Sequence, residues 1–245
     1  MGKRTASHEA VPLEVARVKP YYEHAGITIF HSDVREWMAS VPACLRFDTV
    51  LTDPPYGVGV PYGRFSDTPE AVATLVREVV PWLTQRARTV ALTCGTRQIH
   101  FYPPVTWALC WLNRRGSYAN PWGFTCWQPI LVYGPDPFLA RGLGSRSDVI
   151  EHSETAEANG HPAPKPEGLW KKVLARVALP GDVIVDPFMG SGTTLRVAKD
   201  CGHRAIGIEI EERYCEIAAK RLSQEVLPLE VGVRGDGRPH AVGGD

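Results

Sequence analysis

The sequence lacks several features by which whole classes of protein are recognised. Its 27 Lys and Arg residues balance 27 Asp and Glu residues, which excludes a basic coat for nucleic acid as a global property but leaves local patches open. None of the six cysteines forms a C-x-x-C pair, and the eight histidines do not cluster near them. We therefore expect no structural zinc site and no disulfide scaffold, as suits a chain in the reducing cytoplasm.

Targeting and membrane signals are also missing. The first residues show no basic stretch followed by an apolar segment, and the longest mostly apolar run, residues 105–112, is too short to cross a bilayer. We therefore expect neither a secreted nor a membrane protein.

The chain is predicted to contain one large domain between two irregular ends. Residues 1–25 show no apolar period and are predicted to form a flexible arm, and the Gly-rich residues 228–245 a disordered tail. Residues 26–227 are predicted to form the domain. Within it, residues 134–164 show no period and are predicted to be an exposed insert.

Short apolar strands alternate with helices of 3.6-residue period along this domain. Strands are predicted at 27–30, 47–51, 90–93, 105–112, 130–133, 182–185 and 204–208. Helices are predicted at about 33–41, 68–83, 169–177, 193–201 and 212–223. This order predicts an α/β fold with a mostly parallel twisted sheet and helices on both faces. We expect Trp107, Trp111, Trp122 and Trp127 to pack in the core or against the strands, with stacking on bases as the alternative.

A glycine-containing turn follows the strand predicted at 182–185. Gly190 and Gly192 allow a tight turn and a close approach of the backbone to a ligand, and Thr193 opens the next helix with free N–H groups. Glu209 ends the following strand, where a carboxylate can accept both hydroxyls of a ribose. The pattern predicts a nucleoside-containing cofactor, and an ordinary strand-to-helix turn is the alternative. No Lys follows the last glycine, which excludes a P-loop.

A second motif, residues 53–56 (Asp-Pro-Pro-Tyr), lies at the end of the strand predicted at 47–51. Asp53 and the carbonyl of Pro54 can accept the two hydrogens of one exocyclic amine, and Tyr56 offers a flat face for stacking. Two such acceptors expose the lone pair that an aromatic amine needs to attack an electrophilic methyl group. The alternative is a proline-rich turn with an exposed acid.

These motifs together resemble the beta-class amino-DNA methyltransferases. The resemblance rests on residues 52–57, 161–166, 186–194 and 207–209, and it extends over about residues 26–225. In that class the catalytic motif precedes the cofactor motif, as it does here. The resemblance implies a Rossmann-like, seven-stranded methyltransferase fold with permuted motif order, which uses S-adenosylmethionine and needs no metal.

The resemblance also implies roles for individual residues. The catalytic set, which would hold the target amine and stack on the flipped base, is Asp53, Pro54, Pro55 and Tyr56. The cofactor-binding set is Asp33, Lys165, Asp186, Phe188, Gly190, Ser191, Gly192, Thr193 and Glu209. The chain departs from the family pattern at Ser32, where Gly is usual, and at 163–164, where Ala-Pro replaces Thr-Gln.

The implied activity is site-specific methylation of adenine N6 in double-stranded DNA, with the target base flipped out of the helix. Cytosine N4 is the alternative target, and an RNA or protein amide methyltransferase or an inactive DNA-binding module are further alternatives. Carbon-5 methylation is disfavoured because no Pro-Cys dipeptide occurs. The resemblance implies a role in restriction-modification and leaves a homodimer open. Residues 134–164 are the candidate target-recognition segment, although residues 134–160 carry more acidic than basic side chains.

Overall fold

The computed structural model describes residues 19–116, 119, 120, 122–156 and 160–224. The strands in these ranges are β1 (Tyr22–His24), β2 (Ile27–His31), β3 (Phe47–Thr52), β4 (Ala87–Thr93), β5 (Trp107–Leu112), β6 (Ala119–Asn120), β7 (Gly123–Phe124), β8 (Trp127–Tyr133), β9 (Val149–Glu151), β10 (Val183–Asp186) and β11 (Arg204–Glu209). The helices are α1 (Val34–Ser40), α2 (Pro69–Thr84), α3 (Glu167–Val177), α4 (Thr193–Asp200) and α5 (Glu212–Ser223).

Nine of the strands described form one twisted sheet in the order β1-β2-β11-β10-β3-β4-β8-β5-β9. The five strands from β2 to β4 in this order are mutually parallel, whereas β1 and β8 run antiparallel to their neighbours. The strands β6 and β7 pair as a separate hairpin. The predicted mostly parallel sheet is confirmed.

Helices cover both faces of this sheet. One apolar cluster includes Trp170 of α3, Leu195 of α4 and Ala218 of α5, and the other includes Trp37 of α1 and Val76 of α2. All five side chains are almost fully buried. Burial of an apolar helix stripe against each face gives the layered architecture expected from the alternating sequence pattern.

The strand order changes direction between β10 and β3. From β10 the chain continues through α4 to β11 on one side, and from β3 it continues through α2 to β4 on the other side. Ligands in such sheets bind at the carboxyl ends of the strands where the winding reverses. The fold therefore places a crevice after β3 and β10, the two strands that precede the motifs described above.

The edges of the sheet differ from the prediction of seven strands. Residues 22–24 were predicted to belong to a flexible arm, but they pair antiparallel with β2. Residues 149–151 were predicted to lie in an irregular insert, but they pair parallel with β5 as β9. Both are three-residue edge strands, too short for an apolar period to register. Residues 1–18, the tail at 228–245 and residues 157–159 of the insert lie outside the described residues.

The tryptophans were predicted to pack in the core or against the strands, and one of the four lies in the core. Trp111 is buried, whereas Trp107, Trp122 and Trp127 are exposed. In the part of the chain that the structure describes, no helix has both the length and the apolarity needed to span a membrane.

Candidate functional site

The two motifs meet in one cleft at the carboxyl edge of the sheet. Val50 of β3 is paired with Val185 of β10, so the segments that follow these strands emerge side by side. They border a cavity with an empty volume of about 890 Å³, including the part open to solvent. Residues from both segments line this cavity, among them Asp53 and Phe188. Two stretches distant in sequence therefore share one binding space.

Asp53 lies at the centre of a network of hydrogen bonds and charge. Its Oδ1 atom accepts a 2.7 Å hydrogen bond from the Tyr56 hydroxyl and a second hydrogen bond from the Thr93 hydroxyl. Its Oδ2 atom accepts a hydrogen bond from the Lys165 ammonium, with which it forms an ion pair. The side chains of Asp53 and Lys165 are 21% and 12% exposed, so the pair is largely withdrawn from water.

Tyr56 supports this carboxylate from one side. Burial raises the pKa of Tyr56 well above its ordinary value, and the nearby Asp53 charge raises it further. The phenol therefore remains a hydrogen-bond donor across the neutral range. The Lys165 ammonium lies 5.1 Å from the centre of the Tyr56 ring, within range of a cation–π interaction.

Asp186 fixes the start of the second motif. Its Oδ1 atom accepts hydrogen bonds from the Thr52 hydroxyl at 2.6 Å and from the Phe188 backbone N–H at 3.0 Å. Burial raises the pKa of Asp186 to about 6, and a hydrogen bond from Thr194 opposes this rise. Asp186 thus joins the end of β3 to the turn after β10.

Glu209 ends β11 and faces the same cavity. Its two oxygens each accept a backbone hydrogen bond, from Gly190 at 3.0 Å and from Glu211 at 2.7 Å. Burial raises the pKa of Glu209 to about 7. Because a carboxylate oxygen can accept more than one hydrogen bond, both oxygens retain capacity for ligand hydroxyls.

The turn itself requires glycine at two positions. Gly190 has φ of +51° and Gly192 has φ of +80°, a region that other residues rarely adopt. A Cβ atom on Gly190 would lie 2.9 Å from Nε2 of His161, and one on Gly192 would lie 2.8 Å from the Cβ atom of Ala218. The turn therefore packs closely on both sides.

The loop at residues 57–67, between β3 and α2, forms one side of the cavity. Tyr62 and Phe65 of this loop line the cavity. The buried Asp67 carboxylate accepts hydrogen bonds from the backbone N–H groups of Gly57 at 2.6 Å, Val58 at 3.1 Å and Val60 at 2.9 Å. One side chain therefore fixes the fold of the loop over the site.

Most of the predicted site residues reach this cavity. The predicted residues that line it are Asp33, Asp53, Pro55, Lys165, Asp186, Phe188, Gly190, Ser191, Thr193 and Glu209. Pro54, Tyr56 and Gly192 do not line it directly but are chain neighbours of residues that do. Asp33 also caps α1, because its Oδ1 atom accepts a 2.7 Å hydrogen bond from the Arg35 N–H.

Sequence reasoning missed several residues of the site, four of which have polar side chains close to the catalytic motif or the turn. Thr93 contacts Asp53 from the end of β4, and Tyr62, His161 and Tyr214 line the cavity. The ring centroids of His161 and Tyr214 lie 4.7 Å apart. Only His161 had a signal, since it opens the segment at 161–166. Among the described residues, no group of three or more His, Cys, Asp or Glu side chains could hold a metal ion.

The strand order, the helices on both faces and the cleft are those of a Rossmann-like methyltransferase fold. Two solved structures share it. A structure of M1.HpyAVI with SAM has a TM-score of 0.61 at 22% identity and covers 81% of this chain and 100% of that chain. The cytosine-N4-specific PvuII DNA methyltransferase has a TM-score of 0.68 at 16% identity and covers 86% and 92%.

Comparison with known sequences shows a match to a family of DNA methylases over part of the chain. The profile of the DNA methylase family for N6 and N4 methylation matches residues 122–220. Type II methyltransferase M2.DpnII of Streptococcus pneumoniae is 50% identical over 68 residues, which are 28% of this chain and 25% of that protein. M.ScaI of Streptomyces caespitosus is 24% identical over 89% of this chain and 88% of its own length.

Residues 122–220 of the chain are therefore similar to the DNA methylases that modify N6 or N4 amines. M.HinfI of Haemophilus influenzae is 44% identical over 79 residues. The high identity is confined to a segment: the matched part of the chain spans about a quarter of the length of M2.DpnII and 22% of the length of M.HinfI.

Proposed function

We propose that this protein transfers a methyl group from S-adenosylmethionine to an exocyclic amine of a base in double-stranded DNA, with adenine N6 as the target. The observation that carries the proposal is the position of Asp53 in the same cleft as the turn at 186–193. The match of residues 122–220 to the DNA methylase family supports the same reaction class.

The side chains and backbone groups that line the cavity fit the chemistry of S-adenosylmethionine. Glu209 offers two oxygens with spare acceptor capacity to a ribose diol. Thr193 begins α4, whose N–H groups suit a carboxylate. When bound, S-adenosylmethionine supplies an electrophilic methyl group on its sulfonium.

The residues of the catalytic motif would prepare the amine. Asp53 Oδ1 is held by Tyr56 and Thr93, so Oδ2 is the oxygen that can accept a hydrogen bond from the amine after Lys165 gives way. The Pro54 carbonyl would accept the second hydrogen, and the nitrogen lone pair would become available for attack. The nitrogen releases one proton as it gains the methyl group, and Asp53 Oδ2 is placed to receive it. Catalysis would rest on positioning and charge placement.

Adenine is the preferred target in this proposal because the motif begins with Asp, whereas cytosine-N4 enzymes often carry Ser there. Cytosine N4 is the second candidate, supported by the fold similarity to the cytosine-N4-specific PvuII enzyme. Both bases present an exocyclic amine with two hydrogens, so the same pair of acceptors serves either.

Transfer of labelled methyl groups to duplex DNA, followed by analysis of the nucleosides, tests the proposal. We expect label in N6-methyladenine with the wild type and none with Asp53→Ala, whereas the affinity for S-adenosylmethionine changes little. Label in N4-methylcytosine would support the second candidate. Label in RNA or protein but not in DNA would contradict the proposed function.

A further inference from the structure

We propose that Trp122 and Phe124 form an aromatic wedge that enters the DNA duplex and holds the target base outside it. The inference rests on the proposed function and deepens it, because it assigns the surface that contacts the DNA and one step that this surface performs. The wedge is defined as these two side chains.

The strand register places the wedge beside the catalytic site. Thr93, whose hydroxyl contacts Asp53, is paired with Ile130 of β8. The first residue of β8, Trp127, is paired with Leu112, the last residue of β5. Both ends therefore extend beyond Thr93 at the carboxyl edge of the sheet, and the β6–β7 hairpin that joins them lies at this edge. Two strand spacings of about 4.8 Å separate β8 from β3, the strand that precedes Asp53.

The exposure of these side chains is unusual for aromatic residues. Trp122 is 99% exposed, Phe124 is 75% exposed and the neighbouring Trp127 is 45% exposed. Aromatic residues normally bury most of their surface, so an exposed group of them indicates a binding site. The hairpin has only two residue pairs, Ala119 with Phe124 and Asn120 with Gly123, and it stands apart from the main sheet.

DNA is the partner that the position and chemistry favour. A base in the catalytic cleft must leave its stack, and aromatic or apolar side chains that enter the duplex fill such gaps. Stacking on a planar side chain is tolerant of sequence because every base has a π-face. Two exposed arginines follow strands at the same edge of the sheet, Arg115 before β6 and Arg97 in the turn after β4, where they can contact phosphates.

Trp107 provides a matched control. It is 60% exposed and lies at the start of β5, five residues or about 17 Å along the strand from the edge that carries the wedge. Trp107→Ala therefore removes a similar exposed aromatic surface, but at the opposite edge of the sheet from the catalytic cleft.

The experiment compares two unmethylated duplexes that contain the sequence recognised by the enzyme. In one duplex the target base is paired, and in the other it lies opposite an abasic site. For Trp122→Ala with Phe124→Ala, we expect kcat/KM to fall at least tenfold on the paired duplex and less than threefold on the other. Fluorescence of 2-aminopurine at the target position should lose most of its increase on binding. Trp107→Ala should leave both values within about twofold of the wild type, and none of the variants should lower the melting temperature appreciably.

Other outcomes would overturn the inference in distinguishable ways. An equal loss on both duplexes would indicate a general DNA contact, and a change in sedimentation with unchanged base flipping would indicate a contact between copies of the chain. Unchanged kinetics would also reject the wedge while leaving the proposed function intact. If the wild type methylated neither duplex, the proposed function itself would fail, and the wedge with it.

Discussion

Among single residues, Lys165 makes a contact that the sequence did not predict. The family resemblance implied a cofactor-binding role, and Lys165 does line the cavity. Its ammonium group nevertheless contacts Asp53 Oδ2, the oxygen that would accept the target amine. The contact gives Asp53 a counter-charge in a cleft that also holds the carboxylate of Asp186, whose pKa is raised by burial and further by the Asp53 charge.

We predict that Lys165→Met lowers kcat by about 10- to 100-fold, equivalent to about 1.4 to 2.7 kcal/mol. The reason is that a largely buried carboxylate without its partner is poorly stabilised and poorly oriented. Lys165→Arg keeps the charge and should retain more activity. Steady-state kinetics and calorimetric titration with S-adenosylmethionine measure the two effects. A large loss of cofactor affinity with normal kcat would instead support the cofactor role.

For Glu209, we predict that the affinity for a ribose ligand depends on pH. Burial raises the pKa of Glu209 to about 7, so the carboxyl group of the free protein is protonated below this pH and ionised above it. Ionised oxygens accept ribose hydroxyls more strongly than protonated ones. The affinity for a ribose ligand should therefore rise with pH, by up to about tenfold between pH 6 and pH 8.

The measurement uses methylthioadenosine, which keeps the ribose but has no amino-acid part that titrates. Glu209→Gln should weaken binding and remove the pH dependence. An identical pH dependence in this variant would show that another group near the cavity, such as Asp186 with a pKa of about 6, is responsible.

At this scale, residues in multi-residue motifs at strand ends were predictable. Asp53, Asp186 and Glu209 each end or follow a strand, and the strand ends converge. Thr93 was not predictable as a site residue, because a single threonine at the end of a strand carries no motif and its role depends on which strand lies next to β3.

Among the elements, the loop at 57–67 is the clearest case of one side chain that holds a segment in place. The Asp67 carboxylate accepts three backbone hydrogen bonds, and Tyr62 and Phe65 on the loop face the cavity. The glycine and proline residues at 58–67 are typical of a mobile loop. The structure shows how a buried carboxylate can order such a segment locally.

We predict that Asp67→Ala destabilises the fold by about 1–3 kcal/mol, since it leaves backbone N–H groups without their acceptor. Hydrogen exchange in residues 57–66 should accelerate more than in α2, and the affinity for S-adenosylmethionine should fall as the loop loosens. Asp67→Asn keeps one acceptor oxygen and should be intermediate. Unchanged exchange in the loop would contradict this account of its order.

The elements that sequence reasoning missed share a physical cause. The strands β1 and β9 have three residues each, and their side chains are mostly exposed because they lie at the two edges of the sheet. The hydrogen bonds to neighbouring strands define them, not an apolar pattern of their own. The central strands are buried, so their apolar residues form runs that can be recognised in the sequence.

In the whole molecule, the parallel sheet is what turns two separate motifs into one site. The catalytic segment follows β3, and the glycine-containing turn follows β10, more than one hundred residues later. Adjacent parallel strands must end at the same edge, so pairing of β3 with β10 brings the segments together. The motif order along the chain is therefore free to vary as long as these two strands remain neighbours.

The central claim is that the cleft between these segments methylates an exocyclic amine in DNA. Sequencing of modified bases in DNA from cells that express the protein tests it most directly. We predict N6-methyladenine in one short sequence context with the wild type and no such modification with Asp53→Ala. Absence of any methylated base with the wild type, or equal modification with Asp53→Ala, would contradict the claim.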